Sequence, residues 1–249
     1  MDESTIEKLR GWAERYNNPR YFEEDPIAFP RRFAQMMTTT QPVLGFEGGE
    51  WRPSLQDVQI AAVFSAHFAW GRRAMIVRDC SRLFDEMLWR PYDYVMAGSY
   101  RDDDSSAHRT VKWSEVADIC RRLKQFYSSA PDGARRSLEE LPAEGMRTLI
   151  YGQKPDEKAP NKKIWMLRRW MVRDDGLVDL GLWKHSDKKD LVIPLDVHVF
   201  RQATELGITS RRTRNIDTAL EITDFFKTIF PGDPAKGDFA LFGYGVNHA

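Results

Sequence analysis

Cysteine is nearly absent from this chain. Cys80 and Cys120 are the only two in 249 residues. That is too few for a disulfide scaffold, a four-cysteine zinc site or a four-cysteine iron–sulfur cluster, and it fits a reducing, cytoplasmic compartment. An excess of either charge is also missing. Lys+Arg and Asp+Glu both number 37, for a net charge of +0, which excludes a uniformly basic nucleic-acid coat but not a basic patch on one face. Long apolar runs are absent as well. The uncharged stretch around Ile60 to Trp70 falls far short of the ~20 residues that a membrane helix needs, and the N-terminal MDESTIEKLR carries no apolar signal core. The five histidines show no HxxxH or HExxH spacing, and no GxGxxG, GxxxxGK[ST] or GxSxG motif occurs. A metal site, a nucleotide-binding loop and a hydrolase elbow are therefore not expected.

What the chain does have is material for a core. Hydrophobic residues make up 42%, with 14 Phe, 8 Tyr and 8 Trp, which excludes intrinsic disorder. The length suits one large domain or two closely packed ones. The dominant period is helical. Ser4-Thr5-Ile6-Glu7 reads as a capping box before an apolar face of Ile6, Leu9, Ala13 and Tyr16. Ser54-Leu55-Gln56-Asp57 caps a helix that is apolar almost all round and so should be buried. Ser114 can cap a helix with the stripe Val116, Ile119, Leu123 and Phe126. Arg135 to Ile150 carries a helical pattern interrupted at Pro142. Further helices are expected over Asn161 to Arg173, over His198 to Leu206 with Gly207 as C-cap, and from about Thr218 to Phe230. Leu191-Val192-Ile193 is the one short β-like run, and hairpin signals are nearly absent. Arg101–His108 and Gly152–Pro160 read as loops, either of which can hold a domain seam.

Two segments carry chemistry. Between Lys158 and Arg173 there are six basic residues and no acidic one. Lys162 and Lys163 fall in the first turn of that helix, where the macrodipole disfavours cations by ~0.3–1 kcal/mol. Stability gives little reason for the placement, whereas a lysine whose ammonium is disfavoured suits an amine nucleophile; a solvated lysine pair is the plain alternative. The second segment is Ile193-Pro194-Leu195-Asp196-Val197-His198-Val199-Phe200-Arg201. Asp196 is first of all an N-cap, and a capping carboxylate held at the mouth of a helix is also a way to aim negative charge at a developing cation.

Pro194 to Arg201, followed by Leu206-Gly207, resembles the segment bearing the catalytic aspartate in the helix-hairpin-helix DNA glycosylases, the superfamily of endonuclease III and 8-oxoguanine glycosylase; Asp196 falls on that aspartate. Ile60 to Ala69 is similar to the superfamily helix that ends in a residue bordering the flipped base, a position taken here by His67. Asp238 to Gly245 resembles its last helix with its small residues. The chain is also similar throughout to a bacterial family known only as a domain of unknown function, through Phe68 to Arg73, Arg169 to Arg173 and Val178 to Trp183. The glycine-rich hairpin of the superfamily is replaced by Lys158-Ala159-Pro160-Asn161-Lys162-Lys163. The link of 33 or 34 residues from Lys163 or Lys162 to Asp196 resembles that of the archaeal 8-oxoguanine glycosylases.

The resemblance implies an all-α fold of two packed helical lobes with a cleft. The approximate lobes are residues 50–150 and residues 1–49 plus 151–249. It implies a base-excision enzyme with lyase activity, acting on an oxidised base such as 8-oxoguanine through Lys162 or Lys163 and Asp196. His67, Trp70, Arg72, Arg73, Arg168, Arg169, Arg173, His198 and Phe239 are the candidate DNA contacts. The expected partner is double-stranded DNA with a damaged base, bound by a monomer with no cofactor, no iron–sulfur cluster and no membrane. A non-catalytic nucleic-acid-binding protein of the same fold is the competing reading.

Overall fold

The helical period of the sequence becomes helix nearly everywhere. The computed structural model describes residues 1–39, 51–131 and 134–247. Helix accounts for 59% of these residues. In chain order the helices are α1 (Glu3–Tyr16), α2 (Ala28–Thr38), α3 (Leu55–Phe68), α4 (Arg73–Glu86), α5 (Pro91–Ala97), α6 (Trp113–Ser128), α7 (Ala143–Gly145), α8 (Lys162–Val172), α9 (Val197–Glu205), α10 (Ile216–Ile229) and α11 (Lys236–Asn247). The one sheet among the described residues is an antiparallel ribbon of β1 (Ser106–His108) and β2 (Val111–Lys112). The protein is all-α. No helix among the described residues is long and apolar enough to cross a membrane. The chain divides into two compact units, a terminal unit of Met1–Glu23 with Asp156–Ala249 and a central unit of Glu24–Pro155.

The central unit is built on α3. Its capping box is formed on both sides: the Asp57 amide donates to Ser54 Oγ (3.4 Å), and Asp57 Oδ2 accepts from the Ser54 amide (2.7 Å). Every residue from Gln56 to Phe68 is buried, so the polar groups inside must find partners. Gln59 finds three. Its Oε1 accepts from Tyr127 Oη (3.0 Å) and the Leu138 amide (3.2 Å), and its Nε2 donates to Ser137 Oγ (2.6 Å). α2 packs along α3, and Phe29, Phe33, Phe84 and Trp89 form an aromatic cluster with ring centroids 5.2–6.2 Å apart. α2 belongs to this central unit.

The terminal unit packs α1 and α9 against α11 around Leu9, Ala13, Ile193, Leu195, Val199, Ala203, Ile222, Phe226, Ala240 and Leu241. Gly207 ends α9 in the left-handed region (φ +68°), as its C-cap position requires.

Several local expectations change. Asp2, not the Ser4 box, caps α1, accepting from the Thr5 amide at 2.8 Å. Asn215 caps α10, three residues before Thr218. Ser114 sits inside the first turn of α6. Arg135 to Ile150 is broken into a 3-10 turn (Leu138–Glu140), α7 and a π-helical turn (Met146–Ile150). Leu191–Ile193 forms no strand; the Ile193 amide donates instead to Thr223 Oγ1 (3.0 Å). The ribbon falls at the end of Arg101–His108, where three residues are too few for alternation to show.

The small residues of α11 allow close approach. A Cβ at Gly243 would lie 2.4 Å from Tyr16 Cβ and Cγ, and one at Gly237 2.3 Å from the Phe226 ring. Alanine in a helix interior normally stabilises by ~1 kcal/mol over glycine. Tyr16 is 2% exposed and has nowhere to move. Gly243→Ala is therefore expected to destabilise the fold, by ~1–3 kcal/mol through overpacking, read as a lowered urea midpoint. A raised midpoint would show that α1 and α11 are not in tight contact.

Candidate active site

The site begins with the turn that starts α8. The sequence offers no glycine between Lys158 and Lys163, yet the turn needs a left-handed residue. Asn161 supplies it at φ 47°, ψ 38°, asparagine being among the few side chains that visit this region readily. The carbonyl of Lys158 accepts from the Ile216 amide (3.1 Å), and its ammonium pairs with Asp217 (3.0 Å), fixing the approach to the helix.

At 3.6 residues per turn, positions i+7 and i+11 fall about 20° to either side of position i. In α8 and its C-cap these are Lys162, Arg169 and Arg173. Lys163 lies about 100° further round, on the side of Leu167 and Trp170, which are buried. The Lys162 stripe runs into a buried ion network. Arg169 is 4% exposed, donates to Asp238 and pairs with Asp179 at 3.3 Å. Arg173 is 1% exposed and donates to Asp179 (2.5 Å) and to both oxygens of Asp233 (2.8 and 3.1 Å), with Asp175 at 3.1 Å. Asn17 Nδ2 donates to Asp175 (2.7 Å) and ties α1 to the same group. The Phe239 ring lies beneath both guanidinium groups, at 4.5 and 5.0 Å.

Asp196 caps α9 as its sequence position implies, accepting from the Val199 amide at 2.9 Å, and is half-buried. Asp238 opens α11 and is buried. The carboxylate of Asp196 and the ammonium of Lys162 both lie within electrostatic reach of Asp238. Lys162, Asp196 and Asp238 are thus gathered from three helix starts of one unit.

Burial sets the electrostatics here. It pushes the Asp238 carboxyl up to about 6, against the pull of Arg169, with the Asp196 charge adding to the rise. Burial also raises Asp179 despite its two arginines. For Arg173, burial works against the charge, but the hydrogen bonds to Asp233 and the charges of Asp179, Asp233 and Asp175 outweigh it, and its affinity for the proton rises.

Two expected phosphate contacts are therefore corrected. Arg169 and Arg173 are committed to carboxylates inside the unit. Phe239, expected at the base, is 1% exposed and packs under these arginines and edge-on to Phe22 (5.8 Å). Arg168 is half-buried, its guanidinium between the rings of Trp165 (5.8 Å) and Trp183 (5.5 Å). His198 is half-buried and edge-on to Phe242 at 6.0 Å.

The remaining candidates lie in the central unit. His67, at the end of α3, is 9% exposed, stacks on Tyr151 (5.5 Å) and meets Glu115 through Nε2 (3.0 Å). Trp70 is 39% exposed. The loop carrying it is held by His108, whose Nε2 lies 2.9 Å from the Trp70 carbonyl and whose Nδ1 lies 2.8 Å from buried Asp79. Arg109 covers the Trp70 ring at 4.5 Å. Arg72 and Arg73 follow on the surface, with Arg73 4.0 Å from Asp25. Among the described residues, no group of three or more His, Cys, Asp or Glu side chains is arranged to hold a metal ion.

Residues 52–247 match a protein family of unknown function, DUF2400. The chain belongs to this family. No curated protein and no solved structure matches it. The DUF2400 match spans α3 through α11 and so includes every residue of the Lys162–Asp196–Asp238 group.

Asp238 gives this DUF2400 protein a distinctive pH dependence. Its folded-state pKa lies above the ordinary value, so from about pH 4 to about pH 6 the folded chain holds a proton that the unfolded chain has released. This contribution is full below about pH 4 and is lost as pH rises through about 6, on the order of 3 kcal/mol in all. Asp238→Asn lacks it. The stability of the native protein relative to Asp238→Asn should fall as pH rises across that window, measured as urea midpoints. A constant difference would show that burial does not lift this carboxyl.

Proposed function

We propose that this protein is a DNA glycosylase-like base-excision enzyme with lyase activity, acting on an oxidised base in duplex DNA such as 8-oxoguanine. The observation that supports the reading is the gathering of Lys162 and Asp196, far apart in sequence, around one buried carboxylate in one unit. The likeness of the Ile60–Ala69, Pro194–Arg201 and Asp238–Gly245 segments to helix-hairpin-helix DNA glycosylases, in that order, points the same way.

In this reading an extruded nucleotide, unstacked at a cost of a few kcal/mol, brings its anomeric carbon to Lys162. Lys162 enters as the neutral amine after giving a proton to water. Its lone pair forms the N–C1′ bond while the bond from C1′ to the base breaks and its electron pair leaves on the base. The base takes up the proton released by the now cationic lysine nitrogen. Asp196 faces the positive charge that develops on the sugar. The lone pair of the lysine nitrogen then forms the C=N bond of an iminium as the C1′–O4′ bond breaks and O4′ takes a proton from water; loss of a C2′ proton to water expels the 3′ phosphate by β-elimination and cleaves the strand. Trp70, Arg72 and Arg73, exposed on the central unit, serve as contacts to duplex DNA. Arg168 and Lys163 supply the remaining positive charge along α8.

Borohydride trapping on an 8-oxoguanine-containing duplex tests the reading. The native chain should give a covalent DNA adduct, which Lys162→Ala abolishes and Lys163→Ala retains. Asp196→Asn should abolish base release and leave duplex affinity largely intact. Binding without adduct or base release on any lesion duplex would identify a non-catalytic DNA-binding protein instead.

A further inference from the structure

We propose that Asp238 is a positioning residue of the Lys162–Asp196 site, its Arg169-anchored carboxylate supplying a second negative charge within reach of both groups. The inference rests on the reading of the site as a glycosylase centre and adds a member that the resemblance does not assign a role.

The placement follows from helix geometry. Arg169 lies two turns along the same stripe of α8 as Lys162 and donates to Asp238, so the stripe that carries the amine also carries the anchor of the carboxylate. α9 packs on α11, which brings the N-cap of one and the first turn of the other into range of each other. Asp238 is 5% exposed, with Phe239 beside it covering the guanidinium groups, so its charge is screened little by water. The anchor is shared: Arg169 also serves Asp179, and Arg173 already answers Asp179, Asp233 and Asp175. The carboxylates of this cluster outnumber its arginines, and Lys162 is the further cation within reach of Asp238.

The charged groups that act on Asp238 include Asp179 and Arg173, joined to it through Arg169 and the Phe239 ring. From α8 they are also Lys162 and Arg169, and from α9 Asp196. From α1, Glu14 is engaged with Lys236; from α10, the ring of Phe226 is what meets the start of α11, at Gly237. An ionised Asp238 therefore acts on two groups at once. It holds the Lys162 ammonium, and it adds to Asp196 against the positive charge of the sugar. These effects have opposite consequences when the charge is removed. The amine becomes more reactive, while bond cleavage at the sugar becomes slower. Loss of order around the site would not produce that split.

The test uses the full chain as native protein, Asp238→Asn and Asp238→Glu. Two quantities are read: single-turnover base release from an 8-oxoguanine duplex, and the acetylation rate of Lys162 by acetic anhydride, followed by mass spectrometry with exposed Lys8 as internal reference. Asp238→Asn should slow base release at least tenfold at pH 7.5 and speed Lys162 acetylation at least threefold, with Lys8 unchanged. Asp238→Glu should restore both. In the native protein base release should climb through about pH 6, and that limb should vanish in Asp238→Asn. Unchanged Lys162 acetylation, or a measurable native base release that Asp238→Asn matches, overturns the proposal. If neither protein releases a base but the acetylation rates differ, the glycosylase reading fails while the placement of Asp238 stands. If Asp238→Asn does not fold, the native pH profile of base release decides: a rise through about pH 6 supports the inference, and a flat profile from pH 5 to pH 7 overturns it.

Discussion

The terminal unit depends on the ion network beneath α8. Two guanidinium groups, Arg169 and Arg173, are taken out of water on one face of one helix, and four carboxylates come to meet them. Such a network is not an economical source of stability. Each buried ion loses several kcal/mol of hydration, and the pairing roughly offsets that loss, whereas removal of a single partner leaves an uncompensated charge at a cost of ~3–5 kcal/mol. What the network does provide is register. Arg173 meets Asp179 and Asp233 only if the extended chain after α8 and the turn before α11 are both in place, and Arg169 meets Asp238 only if α11 starts where it does. The stripe that fixes these elements is also the stripe on which Lys162 stands, so the same constraint that aligns three helices sets the position of the candidate amine.

Local chemistry made much of this legible in the sequence, and long-range pairing hid the rest. Asp196 as an N-cap, Gly207 as a C-cap and Ser54 with Asp57 as a capping box are properties of a few adjacent residues, and each forms in the structure. The buried character of α3 follows from its composition alone. The misplaced starts of α1 and α10 are of another kind: several residues near each start had the right side chain for a cap, and the winner was the one whose oxygen meets the helix amides. The ribbon at Ser106–Lys112 is too short for any period to reveal it.

The arginines of α8 show where local reading stops. A run with six cations and no anion looks like a solvated basic face, because a charge count along the chain sees only neighbours. Arg169 finds its carboxylates 10 and 69 residues away, and Arg173 finds its own 6 and 60 residues away. The neutral composition of the whole chain held a hint, since a local excess of cations must be balanced elsewhere. The spacing of Lys162, Arg169 and Arg173 held a sharper one. Three cations on one stripe of a helix whose next faces carry Leu167, Trp170 and Met171 face inward as much as outward, and an inward cation requires a partner.

The same reasoning separates two kinds of positive charge in this protein. Arg169 and Arg173 of the terminal unit are structural: their hydrogen bonds are made within the fold, and a phosphate would have to displace a carboxylate already held in a nearly dry setting. Those around Trp70 are different. Arg72 and Arg73 stand in water, and Arg109 rests on the Trp70 ring, so a phosphate there displaces only solvent and loosely held counterions. That loop is not adaptable for want of structure. His108 and Asp79 hold the Trp70 carbonyl from below, so the indole and the cations near it are presented on a fixed backbone. A surface organised in this way has already lost the chain entropy that ordering on a partner would otherwise cost, which is what the proposed duplex contacts at Trp70, Arg72 and Arg73 require.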